Sequence, residues 1–280
     1  MSWDRNVNIK SQREIEIMRE AGRINAEALA AAAAAIRPGA TTADLNASVE
    51  EVHRKYGVYS PFIGVPGPIP YPASTTVSIN EELVHGIPTS KRKLKEGDIV
   101  SVDCGTVYEG FVADSAFSAG VGEISAAARK LLEVTEISLY VGIAKMVAGN
   151  TTGDISAAIE QYVKSQKLYV TREYTGHGVG RKMHEGPQVP NYGVPGTGML
   201  LKPGITIALE PMVLAGTWRT KVLQDGWTVI SADRSLTAHF EHSIAVTENG
   251  PVILTLLANG KPPVQIGDAF ETGQAKQDPV

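Results

Sequence analysis

Hydrophobic positions at helical spacing open the chain. Ile15, Met18, Ala21 and Ile24 recur every three residues, which predicts a helix over residues 11–36, stopped by Arg37-Pro38-Gly39. Thr41-Thr42-Ala43-Asp44 has the form of a capping box, a hydroxyl and a carboxylate three residues apart that satisfy each other's free amides, and predicts a second helix to about residue 55. The plan then returns: a helix over about 125–147, a stop at Gly149, Thr151-Thr152-Gly153-Asp154, and a helix to about 165. β-rich runs follow each helix pair. Residues 98–104 and 111–117 are joined by a turn around Tyr108-Glu109-Gly110; later come 205–214, 227–231, 238–246 and 252–256, with Asn249-Gly250 a hairpin signal between the last two. Residues 61–72 hold five prolines and two glycines and predict a stiff, extended loop, either the wall of a site or a plain connector.

The recurrence extends to the letters. The segment from Leu94 to Asp103 aligns with that from Leu201 to Glu210 at an offset of 107 residues, which sets Asp103 on Glu210. The segment Gly39 to Leu45 matches Gly149 to Ile155 at an offset of 110. Two similar offsets in one order argue for a duplicated unit. If the halves pack face to face, both acids converge on one cleft, where burial is costly unless a cation sits between them.

Composition narrows the class. The 280 residues are 43% hydrophobic and 20% charged, an ordinary globular profile. The net charge of −4, with no block of Lys or Arg, gives no sign of nucleic-acid binding. The single cysteine, Cys104, excludes an internal disulfide framework and a cysteine-based zinc site, and fits a reducing cytoplasm. The alanine-rich run over 26–36 contains Glu27 and lacks a basic flank, so neither signal peptide nor membrane span is expected. Residues from 259 onward are rich in Gly, Pro, Gln and Asp and are expected to form a flexible tail over 259–280.

The first hairpin offers a geometric clue. Asp103 and Asp114 are equidistant from a turn centred between Tyr108 and Glu109, and in that register face each other with Cβ atoms roughly 4.5–5.5 Å apart. Like charges so placed need a cation; a register slip instead sends one of them to solvent. Glycine-flanked histidines add weight. His85 lies in Val84-His85-Gly86-Ile87-Pro88 and His177 in Gly176-His177-Gly178-Val179-Gly180, read as a turn in which glycine lets backbone approach closely. His53 is expected on a solvated helix face. His239 shares strand parity with Glu241 and borders any site there, whereas His242 and Cys104 point to the opposite faces of their strands.

In order, His85-Gly86-Ile87-Pro88, Val102-Asp103 with Asp114 eleven residues on, Gly176-His177-Gly178-Val179-Gly180, His184-Glu185, Glu210-Pro211-Met212 and Phe240-Glu241-His242 resemble the type I methionine aminopeptidases, over about residues 9–257. The resemblance is to the short bacterial form, with no zinc-finger extension ahead of the catalytic region. It implies the α/β (α+β) pita-bread fold: one catalytic domain over 1–258, with pseudo-symmetric halves at about 9–120 and 121–258, a central, mainly antiparallel curved sheet and helices outside. It implies a centre of two divalent ions, Co, Mn, Fe or Zn, with a bridging hydroxide. The ligands would be Asp103, Asp114, His177, Glu210 and Glu241, Asp114 and Glu241 bridging. Four carboxylates against two divalent ions and one hydroxide lie within one charge unit of neutrality, which makes burial tolerable.

By the same resemblance His184 donates to the scissile carbonyl oxygen, His85 steadies the intermediate and Glu210 shuttles a proton. Tyr71 and Trp227 match aromatics of the methionine pocket, although composition alone equally makes them core residues. Thr76 stands where many members carry cysteine, and Met183 where an aromatic is common. The implied activity is removal of the initiator methionine from nascent proteins and peptides with a small second residue, by a cytoplasmic monomer working near the ribosome, with no nucleic acid or membrane partner. Rival readings are a proline-specific peptidase or amidinohydrolase on the same fold, and a binding protein that has lost catalysis. The glycine–histidine motif argues against the first and the intact ligand set against the second.

Overall fold

The computed structural model describes residues 7–266. Two helices open it, α1 (Gln12–Ala35) and α2 (Thr42–Tyr56), and the strands β1 (Thr75–Ile79), β2 (Glu82–Val84), β3 (Ile99–Tyr108) and β4 (Phe111–Gly120) follow. The second half repeats the opening with α3 (Ala126–Ile143) and α4 (Thr152–Ser165). Then come β5 (Tyr169–Val170), β6 (Thr175–Gly178), β7 (Glu185–Pro190), β8 (Thr206–Leu209), β9 (Met212–Leu214), β10 (Thr220–Val222), β11 (Val229–Ser231), β12 (Thr237–His239), β13 (His242–Thr247) and β14 (Gly250–Ile253).

Capping boxes form at Ser11, Thr41 and Thr151. The apolar face of α1 buries Met18, Ile24 and Leu29, each such side chain contributing about 1.5–3 kcal/mol. Gly22 is mid-helix because the Leu254 carbonyl lies against it, 2.2 Å from where a Cβ would sit.

The strands form small sheets in the orders β1-β3-β4, β14-β13-β8-β6-β7, β12-β9-β5 and β10-β11-β2, and every pairing among the described strands is antiparallel. In both halves the repeated segment is a central strand: β3 lies between β1 and β4, and β8 between β6 and β13. The repeat extends to single hydrogen bonds. Leu94 donates to Ala40 at 2.8 Å and Leu201 to Asn150 at 2.8 Å; Gly97 donates to Val121 and Gly204 to Val246, both at 2.9 Å. Gly97 and Gly204 share the left-handed backbone, φ 88° and 91°, which explains a glycine at both places. The halves meet where β4 runs against residues 239–243. Ala116 and Glu241 exchange backbone bonds, Ser118 Oγ bonds both backbone groups of His239, and Ser243 Oγ donates to the Asp114 carbonyl.

Four expectations need correction. The first hairpin turns at Glu109-Gly110, both at positive φ (46° and 76°), so Asp103 pairs with Ala116 and Asp114 with Gly105. The two acids are therefore diagonal neighbours, still on one face because the shift is two residues. The runs 205–214 and 238–246 are each two strands, broken at Glu210-Pro211 and at Phe240-Glu241; Pro211 has no N–H to continue a ladder. The last hairpin closes as Thr247 opposite Gly250, around Glu248-Asn249. The tail does not come loose at 259: Pro262 is buried, Val264 and Ile266 pack on the core, and the Ile266 N–H donates to Glu136 Oε2 at 3.0 Å. Residues 267–280 of that expectation lie outside the described residues. No helix among the described residues is long and apolar enough to cross a membrane.

Candidate metal centre

The strand breaks carry chemistry. Asp103 stands in β3, Asp114 in β4 and His177 in β6, while Glu210 and Glu241 occupy the two breaks, where the chain passes from one sheet to another. The Gly-His-Gly segment is strand rather than turn, but close approach does explain its glycines: a Cβ on Gly178 would lie 2.0 Å from the Gly186 carbonyl oxygen, and one on Gly176 2.8 Å from that of Ala208.

His177 Nδ1 lies 3.0 Å from the Gly178 carbonyl oxygen, which can only accept. Nδ1 therefore carries the proton, and the Nε2 lone pair faces Glu210 Oε1 at 3.5 Å and Asp114 Oδ2 at 3.8 Å. Burial, then His184, pushes this imidazole down to about 3, so it is neutral. His239 Nε2 lies 3.7 Å from both Glu210 Oε2 and Glu241 Oε2.

The acids are held against their preference. Burial raises Asp103 to about 7. Burial first, then neighbouring carboxylates, raises Asp114, Glu210 and Glu241 well above the ordinary range. Asp103 Oδ1, Asp114 Oδ1, Glu241 Oε1 and His239 Nε2 are buried without a hydrogen-bond partner. Orphaned acceptors converging in one cleft are what a cation would satisfy. Donors sharing one ion at about 2.0–2.2 Å lie at most roughly 4.2 Å apart, and His177, at 3.5 and 3.8 Å from its two carboxylates, meets that limit. Two clusters of donors lie within 4.8 Å of one another, Asp114–His177–Glu241 and Asp103–His239–Glu241. Glu241 belongs to both, and the donor set fits divalent metal.

All the residues that the resemblance assigns to the site line one cavity of about 170 Å³, Tyr71, Thr76, Met183 and Trp227 together with His85, His184 and the acids. The Tyr71 and Trp227 rings meet edge to face at 5.1 Å, and Trp227 Nε1 donates to the Ile69 carbonyl, so the proline-rich loop is a wall of the site. The His184 ring sits 4.4 Å from that of His177. His184 is pushed down by burial, and His85 down to about 4 by burial and then His184. Beside His184, Glu185 makes a buried ion pair with Lys10 at 2.6 Å. Phe62 and Val65 are where the proline-rich loop borders the cleft; Tyr174, which was not anticipated, borders it too, two residues before Gly176 and at 5.8 Å from His85 with the two rings edge to face.

His53 is not solvated. It is buried, and its Nε2 lies 2.9 Å from Thr106 Oγ1. Thr106 donates to Asn25 Oδ1, so it accepts from His53; Asn25 in turn donates to the Cys104 carbonyl and to Ser115 Oγ. This network stiffens β3 behind Asp103. Cys104 is buried on that far side, and His242 packs against Tyr140 and Thr255, both turned from the site as their parity requires.

Fold and donor set together define a metallopeptidase site, and the description of metallopeptidase family M24 matches residues 16–248. A methionine aminopeptidase of Clostridium acetobutylicum is 48% identical over 248 residues, 89% of this chain and 98% of that protein. One of Mycobacterium tuberculosis is 46% identical over 253 residues, 88% and 94% of the two chains. The crystal structure of a methionine aminopeptidase from Thermotoga maritima aligns with a TM-score of 0.87 at 46% identity, covering 89% of this chain and 99% of that one. A prolidase from Pyrococcus horikoshii shares the fold, with a TM-score of 0.70 at 23% identity. The chain therefore belongs to metallopeptidase family M24, among its methionine aminopeptidases.

Proposed function

We propose that the cleft removes an N-terminal methionine from polypeptides whose second residue is small, using two divalent ions held by Asp103, Asp114, His177, Glu210 and Glu241. The observation that carries this reading is the convergence of four carboxylates, Asp114 and Glu241 buried and Asp103 and Glu210 open only to the cleft, several of their oxygens unpaired, with one neutral imidazole whose tautomer leaves Nε2 free. When bound, the ions would supply an activated water and polarise the scissile carbonyl.

The protein groups do the rest. Glu210, part-exposed to the cleft, takes the proton of the attacking water and hands it to the leaving amine. His184 donates to the carbonyl oxygen as negative charge builds on it, and His85 holds the substrate near the scissile amide. Tyr71, Trp227, Met183 and Thr76 receive the methionine side chain, with the Tyr71 and Trp227 rings set edge to face. A cytoplasmic enzyme acting as a monomer on chains emerging from the ribosome fits this reading.

Release of methionine from Met-Gly-Met-Met, abolished by a chelator and restored by Mn²⁺ or Co²⁺, is the expected result. Full turnover by metal-stripped protein, or preference for Ala-Pro over Met-Ala-Ser, would overturn it.

A further inference from the structure

His239 is held as a ligand is held, yet no reading of the sequence gave it that role. Its backbone is fixed on both sides by Ser118 Oγ, which accepts from its N–H and donates to its carbonyl, each at 2.9 Å. Its side chain is 3% exposed, and its Nε2 has no hydrogen-bond partner. At 3.7 Å from one oxygen of Glu210 and one of Glu241, Nε2 is too far to donate to either. If it carries the proton, a buried donor is left unmade; if it does not, a lone pair confronts two carboxylates. Both arrangements cost free energy, and a cation among them removes that cost.

The surroundings match those of His177. One aspartate, one histidine and the shared Glu241 make each donor cluster, Asp114–His177–Glu241 and Asp103–His239–Glu241. His239's separations lie inside the roughly 4.2 Å limit for donors on one ion.

We propose that His239 is a sixth protein ligand, completing with Asp103 and Glu241 the shell of the ion on the side away from His177. The centre then has an imidazole on each ion. Because imidazole suits Zn²⁺ and Fe²⁺ whereas an all-oxygen shell suits Mn²⁺, His239 narrows the difference between the two positions and draws the Asp103 side toward the former metals.

The inference rests on the two-ion reading, and the test separates the two. Wild-type protein with labelled histidine is loaded with Co²⁺ and studied by NMR, beside calorimetric titration of wild type, His239→Gln and His239→Ala. Two imidazoles with contact-shifted ring signals are expected in the wild type, one of them lost in His239→Gln. Both variants are expected to lose tenfold or more in affinity for one ion while keeping the other. A single contact-shifted imidazole with two ions bound overturns the proposal and leaves the two-ion reading intact, and binding of no second ion overturns that reading itself. Wild-type affinity in His239→Gln makes His239 a mere neighbour of the carboxylates, which also overturns it. The wild-type spectrum decides the matter even if a variant fails to fold.

Discussion

Asp103 and Glu241, from opposite halves of the chain, stand on one cross-strand row with only Ala116 between them. Ala116 pairs with Asp103 across the first hairpin and with Glu241 across the seam between halves. Side chains along such a row share one face, so the smallest side chain of the three forms the floor between two acids.

Ala116→Val is therefore expected to cost the centre more than the fold. Overpacking of this kind costs about 1–3 kcal/mol, and here the added methyls enter the space between the acids. Metal affinity should fall at least tenfold with a modest loss of melting temperature. Wild-type affinity in this variant would show that the row does not bound the ion site.

Asp114→Ala and Glu241→Ala should lose metal together with activity. Each removes a carboxylate that neighbours the other acids, and Glu241 belongs to both donor clusters. Metal content after gel filtration checks this, and two tightly held ions in either variant would contradict the bridging assignment.

His184→Ala should keep its ions and lose about 10²–10³ in kcat, roughly 2.7–4 kcal/mol, the usual effect of one oxyanion donor. Its KM should change little, because the bond strengthens only in the transition state. Unchanged kcat with a lowered melting temperature would instead make it a buttress of the loop anchored by Lys10 and Glu185.

Metal-free protein should become less stable as pH rises from about 6.5 to 8. The sign follows from the raised acids. In the unfolded chain the carboxylates are already charged in this window, whereas in the folded state Asp103 gives up its proton only through about 7, and burial with neighbouring carboxylates pushes Asp114, Glu210 and Glu241 in the same direction. His177 and His239, both pushed down to about 3, are neutral in the folded state throughout, and their opposing effect lies below the unfolded value of 6.5. Melting curves of chelated protein test this. Added Mn²⁺ should remove the slope, since binding displaces those protons.

His53→Ala should destabilise without touching the centre. It removes the donor to Thr106 and leaves a hole behind β3, an effect of about 1–3 kcal/mol. Metal stoichiometry should stay at the wild-type value, and a loss of ions would tie the Asn25 network directly to Asp103.

The helices and the duplication were legible because their signals are local: caps at Thr41 and Thr151, the period of Ile15, Met18, Ala21 and Ile24, and glycines at matching left-handed positions. The separated motifs led to one cavity for the same reason, since each is a short run around a functional side chain. Strands β6 and β7 were missed because Gly176, Gly178 and Pro187 break the alternation that marks a strand, whereas β1 was missed although Thr76, Val77, Ser78 and Ile79 do alternate; what pairs β6 and β7 is their neighbours. The hairpin register went wrong by two residues because Glu109, not a usual left-handed residue, takes positive φ beside Gly110. His53 could have been placed: Leu45, Val49 and His53 fall four residues apart on one buried helix face.

Seen from the unfolded chain, the seam at Ala116 makes the centre a staple. Its proposed ligands Asp114 and Glu241 are more than a hundred residues apart in sequence, and a covalent link closing a loop of about that length is worth roughly 4.7 kcal/mol in the chain-entropy account. With ions in place the two halves are tied and should melt as one body. Once stripped, they still share the β2–β11 pairing, the Lys10–Glu185 ion pair and the bonds between β4 and residues 239–243, so calorimetry should show the same body melting at a lower temperature rather than two halves unfolding apart.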